Sequence, residues 1–366
     1  MSSEPQISWL RAPIGQREQI EGLWRSAREG RMSHAFGFFG PRGVGKFLSA
    51  RWFTAGLLCS DPNSPRPGPP CGTCGPCKRV EADSHPDVYL LDPVALGIDP
   101  IRIRDVVKRD DSERKTVDEF LMLKAAECGY RVVVLRDFER ANASAQNSLL
   151  KTLEEPGDDV VIILESSAPA RLVGTVKSRI VTVVFDRLSV ESTRQALGEL
   201  GFDSALSDKF SRWCHGAPGR AAEMNALGAE FMLGLIERAL GGEDALALVQ
   251  ELSTVEAEFL GKTPSIKNRA RARFFLDLVL EVCVDLQRAG GGLDPRKLAY
   301  GDLCGVIQSP AAGRGALRSS GLRRAVDLCL NARQDVDMNL TPDAACERAL
   351  IALGLVREAK FEQEPA

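Results

Sequence analysis

The chain has 366 residues, 44% of them apolar and 27% charged, with 47 Lys plus Arg against 50 Asp plus Glu and a net charge of −3. This is the composition of a soluble globular protein of two or three domains, and it argues against a protein that grips long DNA unaided, which would be more basic. No run of 18 apolar residues offers a membrane span. Met1 to Ser8 has neither the basic nor the apolar part of a signal peptide, so a cytoplasmic location is expected.

In chain order, Ala35 to Phe39 (AFGFF) is a short apolar run that ends at Gly40, and residues 47–58 then form a predicted helix. Val88 to Leu91, Arg131 to Leu135, Val160 to Leu164 and Val181 to Phe185 are further short strand candidates, most of them β-branched. Such runs, separated by helical stretches, predict a parallel sheet covered on both faces. Between two of them, Asn142 to Glu155 is a predicted helix, with Asn142 as N-cap, Leu149, Leu150 and Leu153 as its apolar face, and Pro156 as its stop. After about Asp186 the pattern is helical. Phe275, Leu278, Val279, Val282 and Leu286 share one helix face, and the run Gly290 to Gly292 ends that helix. Ser60 to Pro70 is a Pro-rich loop, Lys108 to Lys115 a mixed-charge solvated stretch, and Glu362 to Ala366 a tail.

Gly40-Pro-Arg-Gly-Val-Gly-Lys46 has the phosphate-loop spacing and the required setting between a strand and a helix. Gly40, Gly43 and Gly45 would let backbone N–H groups turn toward phosphate oxygens at a helix N-terminus, and Lys46 would reach the terminal phosphates. The position after the lysine, where Ser or Thr would hold magnesium, is Phe47. A phenyl ring cannot ligate a hard cation. The sequence therefore leaves open whether ATP or ADP still binds, and argues against Mg2+ and efficient hydrolysis.

Of the ten cysteines, Cys59, Cys71, Cys74 and Cys77 cluster in a Pro/Gly-rich stretch. Two overlapping Cys-x2-Cys turns and a fourth thiolate suit a closed tetrahedral zinc site, which is structural because no position is left open for catalysis. Gly72 and Gly75 are expected to ease the turn. Cys128, Cys214, Cys283, Cys304, Cys329 and Cys346 are scattered, as small buried hydrophobes are. His34, His85 and His215 have no partner in sequence that suggests catalysis and are expected to be structural hydrogen-bonders.

The order of phosphate loop, cysteine cluster, Ser84-His-Pro-Asp-Val88 and Ala141-Asn-Ala-Ser-Ala-Gln-Asn-Ser-Leu-Leu-Lys-Thr-Leu-Glu-Glu-Pro156 resembles the gamma/tau and delta-prime subunits of bacterial DNA polymerase III clamp loaders. His34-Ala35 and Gly15-Gln16 fit the same pattern, and the likeness covers roughly residues 10–225. It implies an α/β AAA+ module with a parallel sheet flanked by helices over residues 1–186, carrying the zinc insert at 59–77. A small helical lid over 187–244 and an all-α collar over 245–366 would follow. The partners implied are the other loader subunits, gamma/tau and delta, in a hetero-pentameric ring that places the sliding clamp on primer–template DNA.

Residue by residue, the resemblance makes Arg179, in Lys177-Ser178-Arg179-Ile180, an arginine finger acting in trans on a neighbour's ATP, with Ile180 where the family has Cys. It makes Arg220, in Gly216-Ala-Pro-Gly-Arg220, a second sensor for the subunit's own nucleotide. Counting back from the LLKTLEEP segment puts Arg136 and Asp137 where the family has its magnesium-binding Asp-Glu pair. Losses at both 47 and 136 point to a delta-prime-type subunit that supports a neighbour's ATPase. The alternatives are a gamma/tau-like motor ATPase, which needs the groups missing at those two positions, and a stand-alone zinc-bearing DNA-binding protein, against which the mild acidity speaks.

Overall fold

The computed structural model describes residues 10–63, 65, 67–109, 114–127, 129–255, 264–303, 319–338 and 341–358. The chain divides into two compact units, Met1–Ser211 with Gly216–Gly219, and Arg212–His215 with Arg220–Ala366.

The first unit is built on five parallel strands, β1 (Ala35–Phe39), β2 (Val88–Leu91), β3 (Arg131–Leu135), β4 (Val160–Ser166) and β5 (Val181–Val184), in the order β2-β3-β4-β1-β5. All five fall where the β-branched and aromatic runs predict, and the helix-flanked parallel sheet is the α/β arrangement expected of an AAA+ module. Alternation of side chains splits each central strand between two cores. Phe36, Phe38, Val132, Val134, Val161 and Ile163 face one core, which Trp24 of helix α1 (Arg17–Arg28) and Phe53 of helix α2 (Lys46–Leu58) complete. Phe39, Val133, Leu135, Ile162 and Leu164 face the other, closed by Ile101, Phe120, Leu149 and Leu153. Burial on both faces is why β1, Val132–Leu135 of β3 and Val160–Leu164 of β4 carry no polar side chain.

β5 departs from this rule. It is an edge strand, and Val181 and Val184 are 49% and 54% exposed. Its β-branched composition alone does not distinguish an edge from a centre. The segment 142–155 also differs from the single predicted helix: it forms two pieces, Ala143–Ser148 and Leu150–Glu154, joined at Leu149. The predicted cap is present, with the Asn142 side chain accepting from the Ala145 N–H at 2.9 Å, and the helix stops two residues before Pro156. Of the charge run 108–115, residues 110–113 lie outside the described residues, as do Cys128, Cys304 and the tail 362–366.

The second unit is helical. Its 27-residue helix Pro264–Gly290 buries the predicted face completely, and Leu276 and Cys283 with it. The helices Ser319–Asp337 and Pro342–Glu358 pack on it and on each other. Cys214, Cys283, Cys329 and Cys346 are all buried, as small hydrophobes are.

The Ser84–Val88 motif has a structural reason. Asp87 is fully buried, and its two carboxylate oxygens accept from the backbone N–H groups of Ala126 (2.6 Å) and Glu127 (2.9 Å). The guanidinium of Arg131, 4.0 Å away, balances its charge and lies 3.9 Å from the Phe120 ring centroid. His85 is buried and its Nδ1 accepts from the Asp87 N–H at 3.1 Å; burial lowers its pKa and holds it neutral. Asp87→Ala removes the acceptor of two N–H groups and leaves the buried Arg131 without its counter-charge, so it is expected to cost about 3 kcal/mol or more in denaturant unfolding of the first unit. A loss below about 1 kcal/mol would show that the carboxylate does not anchor the Ala126 and Glu127 backbone.

Candidate functional site

Parallel strands leave their C-terminal ends along one edge of the sheet, where open α/β folds bind ligands. The register sets Phe39 of β1 beside Ser166 of β4, and Leu135 of β3 beside Leu164. The loop after β1, Arg136 after β3 and Glu165 at the end of β4 are thereby drawn to one place. They line a cavity of about 250 Å³ whose other wall is apolar, with Pro13, Ile14, Leu188 and Leu200.

Of the predicted loop residues, Gly43, Gly45 and Lys46 line this cavity and Gly40 does not. Gly43 and Gly45 have φ of +83° and +99°, which an L side chain rarely adopts, and α2 begins directly after them. The loop is tied from outside as well. Gln16, itself buried, donates to the Val44 and Asp186 carbonyls at 3.2 and 2.9 Å, and the Gly219 N–H donates to the Gly43 carbonyl at 2.9 Å. Those contacts give Gly15-Gln16 and Gly216–Gly219 a structural part in holding the loop.

Lys46 does not wait free for a phosphate. Its side chain is 1% exposed, its Nζ donates to the Pro41 carbonyl and the Ser167 hydroxyl at 2.9 Å each, and Glu165 Oε1 lies 3.5 Å away. Burial lowers the lysine pKa, an effect that the Glu165 charge opposes. Burial likewise pushes Glu165 up to about 7, against the pull of Lys46.

Phe47 and Arg136, the two residues that the resemblance sets at magnesium positions, touch each other. The Arg136 guanidinium carbon is 4.6 Å from the Phe47 ring centroid, within cation–π range. The same guanidinium donates to Asp92 Oδ2 at 2.5 Å and lies 3.9 Å from Glu165 Oε2. A fixed cation therefore stands where oxygen ligands would have to gather around a divalent ion, and two carboxylates that could serve as such ligands are engaged with it. Asp137 follows with φ of +47° and lines the same cavity. Glu165, Ser167 and Asp92 were not foreseen as site residues. The available signal was a carboxylate closing the uninterrupted apolar run of β4.

Arg179 lies elsewhere, just before β5. Its Nε donates to Glu154 Oε1 at 2.7 Å, its NH2 pairs with the same oxygen, and one NH1 donates to the Thr175 carbonyl at 2.9 Å and the Ser178 hydroxyl at 3.3 Å. Arg220, in the second unit, donates to Glu281 Oε1. Tyr300 donates to Glu281 Oε2 at 2.7 Å, and His215 Nε2 stands 3.5 Å from the same carboxylate. Burial raises the Glu281 pKa, but His215, Arg220 and Tyr300 outweigh it and hold the group ionised. His34 Nε2 bonds the Leu153 carbonyl at 2.8 Å. Each of the three histidines thus has a structural contact.

The cysteine cluster forms at the far end of α2. Cys59 is its C-cap, and Cys74 and Cys77 bracket the start of helix α3 (Gly75–Glu81). The four Sγ atoms lie within 4.8 Å of one another, with Cys59 and Cys74 at 3.9 Å. Tetrahedral zinc with Zn–S of about 2.3 Å needs sulfurs about 3.8 Å apart, so the cluster fits a metal such as zinc. Desolvation raises the thiol pKa values, and Cys59 and Cys77 stay high. At Cys71, hydrogen bonds from Thr73 and the Cys74 N–H outweigh it, and at Cys74 those from Cys77 and Ser60 bring the thiol down to about 6. Gly72, at φ +72°, makes the turn as expected; Gly75 does not, since it already belongs to α3.

Residues 15–189 match the family model described as DNA polymerase III, delta subunit. The DNA polymerase III subunit delta' of Pseudomonas aeruginosa is 39% identical over 163 residues, which cover 44% of this chain and 46% of that protein. The subunit delta' of Bacillus subtilis is 30% identical over 193 residues, covering 53% and 54%. The chain thus spans about half the length of the curated relatives it matches. A solved gamma-subunit-related protein of DNA polymerase III from Thermotoga maritima aligns over 92% of this chain and 98% of its own, at 18% identity and a TM-score of 0.46. Among the described residues no helix is long and apolar enough to cross a membrane.

The Glu165 carboxyl sets a pH test. Its pKa is raised from an ordinary 4.5 to about 7. Between those values the folded chain keeps a proton that the unfolded chain has released. The stability contributed is complete at low pH and is lost as pH rises through 7. Unfolding free energies measured from pH 5 to 8 should therefore fall more steeply for the parent than for Glu165→Gln, by at most about 1.4 kcal/mol per pH unit. Parallel curves would place the Glu165 pKa in the ordinary range.

Proposed function

We infer that this chain, whose residues 15–189 belong to the delta-prime type of DNA polymerase III clamp-loader subunits, helps build the loader ring and serves a neighbouring ATPase instead of turning over ATP itself. The observation that carries this reading is Arg136 stacked on Phe47 in the magnesium corner of the cavity. A loader motor needs a hydroxyl and a carboxylate pair at those positions, and here an aromatic ring and a fixed cation fill them. That speaks against the gamma/tau-like motor. ATP or ADP could enter the apolar side of the cavity only by drawing Lys46 away from Glu165 and Ser167.

On this reading Arg179 is the functional group offered outward. A guanidinium aimed at a transferring phosphoryl is worth roughly 10³–10⁵ in rate for arginine fingers in general. Its exposure supports the role, with a side chain 34% accessible at the edge of the sheet. The partners are the gamma/tau and delta subunits of a hetero-pentameric ring, the sliding clamp and primer–template DNA, in the cytoplasm. A functional division into the module, a lid over 187–244 with Arg220 as sensor and a collar over 245–366 goes with this reading, although the two compact units part within 187–244. Cys59, Cys71, Cys74 and Cys77 hold structural zinc.

In a loader reconstituted with its own partner subunits, Arg179→Ala is expected to lower clamp- and DNA-stimulated ATPase by at least about 10²-fold while the ring still assembles. An unchanged rate in an assembled ring would refute the finger. For the cysteines, elemental analysis of the purified chain should give roughly one zinc per chain, and Cys74→Ser should lose most of it. Far less than one zinc in the parent removes the four-thiolate site.

A further inference from the structure

The geometry points to Glu154 as the residue that positions Arg179 for its neighbour, an inference that rests on the finger reading above. A guanidinium has five N–H donors in a planar fork. In Arg179, Nε and one NH2 proton go to Glu154 Oε1, and NH1 goes to the Thr175 carbonyl and the Ser178 hydroxyl. The plane of the group is thereby fixed from two sides. Its remaining NH2 proton is the one left to meet a phosphate oxygen.

Glu154 is suited to hold that plane because its own backbone cannot wander. Leu153, the residue before it, is 1% exposed in the second core, and the Leu153 carbonyl is bonded by His34 next to the start of β1. Thr175 and Ser178 belong to the turn of helix Gly174–Lys177 that leads into β5. The guanidinium thus bridges two pieces of backbone that are each anchored to the sheet.

The placement of Glu154 is not explained by local stability. It is the last residue of the helix Leu150–Glu154, where a negative charge opposes the helix dipole. Its side chain is 50% exposed, and a solvated ion pair of this kind contributes little to folding. An acid that helps neither the helix nor the core, yet takes two donors of the proposed finger, has its effect on orientation. Glu155, one residue on, carries the same charge on the same turn and supplies the control.

The test is a double-mutant cycle in the reconstituted loader, reading clamp- and DNA-stimulated ATPase. Glu154→Ala is expected to lower kcat by about 10²-fold, the scale of a misplaced catalytic group, with the KM for ATP changed by less than about threefold. Glu154→Gln keeps an oxygen for Nε–H and should recover part of the rate, while Glu155→Gln should leave it at the parental value. In the Arg179→Ala background, Glu154→Ala should cost nothing further. If Arg179→Ala is severe but Glu154→Ala matches or exceeds the parent, the positioning role is wrong and the finger stands. If Glu154→Ala costs as much with Arg179 absent as with it present, Glu154 acts on structure and the proposal fails. If Arg179→Ala itself has no effect, both readings fall together.

Discussion

One half-buried cation governs the cavity of the first unit. Arg136 lies on the Phe47 ring and against Asp92, at the C-terminal end of β3. Positive charge held there by covalent attachment cannot be displaced by an ion, and it leaves the neighbouring carboxylates already paired. Glu165, next in line, is left between Arg136 and Lys46, and its raised pKa records how little solvent remains to stabilise its charge. The loop that would cradle phosphate keeps its glycine backbone geometry, yet its lysine is turned to the Pro41 carbonyl and to Ser167. The charged groups around the loop are thus spent on one another.

The first unit was largely legible from sequence because parallel strands buried on both faces must be apolar throughout, and such runs are hard to mistake. β5 marks the limit. Its valines are as β-branched as those of β3, but which strand lies at the edge is a matter of topology, and no local pattern encodes it. The break at Leu149 is similar, since composition there is helical on both sides and the division into two pieces comes from packing.

At the site, the residues found by spacing were those whose chemistry is carried by a motif: the loop glycines, Lys46 and the four cysteines. Phe47 and Arg136 were visible as departures from a motif, but their mutual contact was not, because it depends on two strands and a helix meeting. Glu165 and Ser167 were missed altogether, being ordinary residues made important by the end of β4. Asp87 shows the converse. A short motif with no obvious chemistry proves to be an anchor for backbone 40 residues away.

Helix α2 joins the two ends of this arrangement. Its N-terminus closes the glycine loop and its C-cap is Cys59, with thirteen residues between them, a rod of about 20 Å. Nearly every turn of it is sunk in the first core, so it moves as one piece or not at all. A metal gripped at the sulfur end would therefore stiffen the glycine loop at the other.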